Sequence, residues 1–107
     1  MTLFNQRVLE KEWVMQIAFV VDISDETGCL KKQHFSVFDI DPGGQGEDAL
    51  NALAHDACTY ALIRSYLWGV NFSKNDLKDR EKIAKIIKDR PFLNTFKSRV
   101  VHFQILP

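Results

Sequence analysis

The sequence predicts a single α+β domain over residues 1–107, built in two layers. A small, mainly antiparallel sheet of three to four strands lies against one long helix, in the order β-β-α-α-β. Three observations lead there. Apolar residues alternate from 12 to 23, follow a period near 3.6 from 47 to 68, and alternate again from 99 to 106.

In the first segment Trp13, Met15, Ile17, Phe19, Val21 and Ile23 fill every odd position, so one face of a strand is buried. Val14, Ala18 and Val20 make its other face partly apolar as well. Phe4 to Leu9 reads as a further strand or as the lead-in to this one. Ser24-Asp25-Glu26-Thr27-Gly28 is rich in turn formers and predicts a hairpin loop. Phe35, Val37, Phe38 and Ile40 follow as a second strand, and the phase change at Val37-Phe38 predicts a bulge. Asp41-Pro42-Gly43-Gly44 then stops the strand.

From Glu47 to Trp68 the stripe Leu50, Leu53, Ala54, Ala57, Ala61 is helical. Glu47 and Asp48 sit where the helix dipole favours anions, and Gly69 stands as the C′ residue. Small residues on the stripe allow close approach to a sheet. Ser73-Lys74-Asn75-Asp76 resembles a capping box and predicts a second helix to about Lys88, ended by Pro91. Arg99 to Leu106 closes the fold as a strand with Val101, Phe103 and Ile105 pointing one way and His102 and Gln104 the other.

Fourteen Lys and Arg balance fourteen Asp and Glu, which argues against nucleic-acid binding by bulk charge. The longest apolar run, Ile17 to Val21, is too short to span a bilayer, so no membrane partner is expected. Two cysteines, 29 residues apart, do not make a disulfide framework, and the N-terminus lacks a signal-peptide pattern. A cytoplasmic setting follows as the expectation.

Asp39 and Asp41 open a D-x-D pattern like a calcium loop. However, Gly43 and Leu50 stand where that loop needs ligands. The turn before Glu47 lacks the Lys and Ser/Thr of a phosphate loop, and Glu47 and Asp48 would repel a phosphate. His55 and Cys58 are neighbours on the helix, but a buried structural thiol is the simpler reading. His34 and His102 lie on strands and approach each other if those strands pair. No metal ligand or catalytic residue is assigned, and no cofactor is expected.

Charge is polarised along the chain. Residues 22–48 carry seven acids and two lysines, whereas residues 74–99 carry nine basic residues and four acids. The bland reading is a solvated helix with pairs such as Asp76 to Arg80 and Glu81 to Lys85. The functional reading is a surface for a complementary partner. Tyr60, Tyr66 and Trp68 gather near the end of the long helix, as core or as interface anchors. The candidate partner- or ligand-binding residues are therefore Asp39, Asp41, Trp68, Lys78, Lys82 and Lys85.

A sheet this small with apolar residues on both faces obtains cover by homodimerisation, or from the N-terminal segment or second helix. The favoured function is a non-catalytic protein-interaction or accessory module, homodimeric. The alternatives are a small-ligand binder with a pocket between sheet and helix, and a small enzyme whose site is shared between subunits. The layout is common to many small accessory proteins and carries no function by itself.

Overall fold

The structure is a computed structural model, and it describes residues 15–40 and 46–106. Strand β1 (Met15–Ser24) pairs antiparallel with β2 (Leu30–Ile40) on one side and β3 (Lys97–Leu106) on the other, giving the order β2-β1-β3. Helix α1 (Glu47–Tyr66) crosses one face of the sheet, and helix α2 (Arg80–Asp89) follows. This is the expected α+β layout, with three strands among the described residues. The strand read at Phe4 to Leu9 lies outside them.

The odd positions of β1 do form the core. Ile17, Phe19, Val21 and Ile23 are buried beneath α1, which supplies Ala57, Ala61 and Ile63. The two alanines have no bulk beyond Cβ, so the helix backbone can approach the sheet closely. The β1–β2 turn is closed by one carboxylate. Asp25 Oδ1 accepts from Thr27 N (2.9 Å), Thr27 Oγ1 (2.6 Å) and Cys29 N (3.0 Å), and Gly28 takes φ +86°. Those donors, with Lys31 at 3.4 Å from Oδ2, lower the Asp25 pKa to about 2.

Three boundaries differ from expectation, each for a local reason. First, Val37-Phe38 is not a bulge: the β1–β2 register runs unbroken from Met15↔Ile40 to Ile23↔Lys32. Even positions of β2 face the helix from Lys32 to Ile40; before them the register slips, with Ser24 opposing Leu30 and Lys31 passed over. The apparent phase change arises because Phe35 and Val37 are apolar residues on the opposite face. A bulge does lie in β3, where Val20 opposes His102 and Val21 opposes Val100, leaving Val101 as the extra residue. The helix-side set of β3 is therefore Val100, Phe103 and Ile105 rather than Val101, Phe103 and Ile105.

Second, α1 stops at Tyr66, with Leu67 N–H bonded to the Ile63 carbonyl at 2.9 Å. Gly69, at φ +81°, lies two residues beyond the cap, and Trp68 leaves the helix. Third, the Ser73–Asp76 capping box forms but closes only a 3₁₀ turn, Lys74–Lys78. Asp79 then breaks the chain direction and caps α2, accepting from Lys82 N at 3.0 Å. Asp competes with the backbone for such bonds, which is why it divides the segment into two pieces. A second 3₁₀ turn, Pro91–Thr95, buries Leu93 and leads into β3.

Candidate functional site: the open edge of the sheet

The strand order leaves two edges, and they differ in chemistry. β2 carries Lys31, Lys32 and Asp39 along its length. Lys74, from the 3₁₀ turn, donates its Nζ to the Val37 carbonyl while lying 5.1 Å from the centroid of the Phe38 ring. Lys32 Nζ donates to the Ser65 carbonyl at 2.8 Å and lies 5.0 Å from the centre of Tyr66, which stacks on Phe96. Charged side chains and a bonded lysine are the usual means of blocking an edge from pairing with another strand. β2 is guarded in this way at Lys31, Lys32, Val37 and Asp39, although Phe35, on the face away from α1, is 65% exposed.

β3 carries its charges, Lys97 and Arg99, only at its start. From Val100 to Leu106 it contains no Asp, Glu, Lys or Arg. Among the described residues no strand lies outside it. Phe103 opposes Phe19 across the ladder, on the helix side, yet Phe19 is 2% exposed and Phe103 54%. Ile105, opposite the buried Ile17, is 36% exposed, and Val101 is 41% exposed. The first turns of α1 do not close over this corner. A groove of about 370 Å³ remains there, lined by Ile17, Phe19, Leu50, Ala54, Val100 and Phe103, with Glu47 and Asn51 at its rim. The bulge at Val101 sets the direction of Phe103, because one extra residue shifts the alternation and turns Phe103 to the helix side.

A second cavity, about 440 Å³, lies between α1, α2 and the start of β3. His55, Cys58, Thr59 and Ser98 contribute to it, with Leu62, Ile63 and Ile87 as the apolar wall. Burial pushes the Cys58 thiol up, against the opposing effect of hydrogen bonds with Ser98 and the Val100 backbone. A thiol held in its neutral form is a poor nucleophile. His34 and His102 do not meet. His34 opposes Val21 on the helix side of β2, whereas His102 opposes Val20 on the other face of β3, with β1 between them. His34 packs edge-on to Tyr60 with ring centroids 5.9 Å apart. Burial, with Arg64 and Lys74 adding to it, lowers the His34 pKa.

The residues singled out in the sequence are scattered. Asp39 is exposed on the face of the sheet away from α1, accepting from Gln16 Nε2 at 3.1 Å, and Asp41 lies outside the described residues. Trp68 is 89% exposed just past the end of α1. Lys78 and Lys85 are exposed. Lys82 is drawn back to Asp76, its Nζ 3.1 Å from the carboxylate, which displaces the expected Asp76 to Arg80 pair. The Asp76 carboxyl is held below its ordinary pKa by the Ser73 backbone bond and by Lys82. Among the described residues no three His, Cys, Asp or Glu side chains converge as a metal site. Also among them, no helix is long and apolar enough to cross a membrane.

Sequence reasoning passed over Phe103 and Ile105 as ordinary inward residues. The available signal was the uncharged run from Val100 to Leu106. Its meaning depends on β3 being an edge, which pattern alone does not reveal. Comparison with known proteins adds no precedent: no family model, curated protein or solved structure matches the chain.

Proposed function

We propose that this chain is a non-catalytic protein-interaction module that receives an extended strand on the outer edge of β3. The added strand gains main-chain hydrogen bonds from the edge, and its alternate side chains enter the groove beside Phe103. One observation carries this reading: Lys74 occupies a carbonyl of β2, whereas β3 from Val100 to Leu106 is uncharged and flanked by exposed Val101, Phe103 and Ile105 beside an apolar groove. The raised Cys58 pKa and the separation of His34 from His102 favour recognition over catalysis. Free Cys29 and Cys58 suit a reducing, cytoplasmic setting.

Amide exchange in dilute protein tests the proposal. The β3 amides that point away from β1 should exchange fast while the β1 amides stay protected. Slow exchange of both β3 sets at the lowest concentration would mean that the chain covers its own edge, and the proposal fails.

The cavity beside Cys58 supports a second reading, a small apolar ligand held between α1 and β3. Native mass spectrometry of gently purified protein would show a reproducible added mass if that reading holds.

A further inference from the structure

Resting on this edge-docking reading, we infer that the strand received by β3 is the β3 of a second copy, running antiparallel about a dyad at Gln104. The groove suits an apolar strand without acids, because Asp or Glu placed against Phe19, Ala54 and Phe103 would be desolvated beside the like charge of Glu47. It also demands apolar side chains at alternate positions. Val100 to Leu106 meets both conditions, so the edge is complementary to itself in charge and in pattern.

Antiparallel pairing of identical strands is two-fold symmetric and closes at two copies. Continuation at β2 is disfavoured, since Lys74 occupies the Val37 carbonyl and Lys31, Lys32 and Asp39 lie along that strand. The assembly therefore stops at six strands, twice the three found in one copy.

The bulge restricts the register. A dyad at Gln104 pairs residues 102 to 106 and stays clear of the extra residue Val101. It sets Phe103 against the partner's Ile105 on the helix side, joining the most exposed apolar residues of this strand's helix face. On the other face Gln104 meets its own symmetry mate and His102 meets Leu106.

Phe103 alone leaves on the order of 100 Å² in solvent, against roughly 800 Å² per partner in a standard interface. Strand pairing by itself thus falls short, and the first turns of α1, at Glu47, Leu50 and Asn51, must share the contact. The dimer should accordingly dissociate on dilution.

Sedimentation across a concentration series, with a cysteine scan, tests the inference. In a Cys29→Ser background, Gln104→Cys should oxidise to a covalent dimer, because facing Cα atoms at a dyad lie within disulfide reach. Gln33→Cys, on the guarded strand, should not. Phe103→Lys should sediment as a monomer at every concentration with an unchanged circular dichroism spectrum. A wild-type protein that stays monomeric, with fast outward β3 exchange, overturns self-pairing and leaves edge docking standing. A monomer with those amides slow overturns both. A dimer that cross-links through Gln33→Cys and not Gln104→Cys overturns the assignment to β3.

Discussion

Phe19 and Phe103 face each other in the same ladder pair, and their truncations should differ sharply. Phe19 is 2% exposed and packs edge-on to Phe38 at 5.8 Å. Phe19→Ala removes a fully buried ring and leaves a cavity, at a cost of about 3–5 kcal/mol. Phe103 is 54% exposed, so less than half of its burial term is present. Full burial of such a side chain contributes roughly 1.5–3 kcal/mol, and the gap left by Phe103→Ala opens to solvent, so no cavity term adds. The expected loss is about 1 kcal/mol. Urea unfolding at the lowest workable protein concentration, where association does not contribute, compares the two. Equal losses would show that the single chain buries Phe103, and the account of an open edge would be wrong.

Other consequences follow from single contacts. Lys74→Ala removes the bond to the Val37 carbonyl and should cost about 1 kcal/mol in urea unfolding while raising light scattering, since the β2 edge becomes available; unchanged scattering would show that Lys74 does not guard it. The folded-state pKa of His34 is lowered below that of an ordinary imidazole, so the unfolded chain takes up the proton first. Stability should therefore fall as pH drops below the ordinary imidazole pKa, and His34→Gln should flatten the slope; an equal slope in the variant rules His34 out as its source. Asp79→Ala deletes the α2 cap and should cost about 1 kcal/mol by the same unfolding assay. Cys58, half-buried with a raised pKa, should react with a thiol reagent more slowly than exposed Cys29; equal rates would contradict its placement.

The elements themselves were legible because their patterns are dictated by local geometry. Alternation at Met15, Ile17, Phe19, Val21 and Ile23 has no reading other than a strand buried on one side. The small-residue stripe at Ala54, Ala57 and Ala61 marked the helix and the side that packs. Where one side chain chooses between two backbone bonds, the pattern failed. Asp79 can continue a helix or cap one, and both give the same spacing of Leu77, Ile83 and Ile87. The bulge was misplaced for a related reason. Adjacent apolar residues at Val37-Phe38 mean a two-sided strand, whereas adjacent Val100-Val101 mean an inserted residue, and only the pairing partner distinguishes them.

The docking edge was hidden for a third reason. Exposure of Phe103 depends on which strand lies at the margin and on how far α1 reaches, both of which are tertiary. The residues most prominent by type, Asp39, Trp68, Lys78, Lys82 and Lys85, do not form one site, and two of them, Asp39 and Lys82, are tied to neighbours.

The most direct test of the open β3 edge is residue-resolved amide exchange along this strand, followed across dilution with β1 as internal reference. The account predicts that the outward amides between His102 and Leu106 are protected in concentrated protein and lose that protection on dilution, while β1 does not change. Protection that is the same at every dilution would contradict it, because the edge would then be filled from within the single chain.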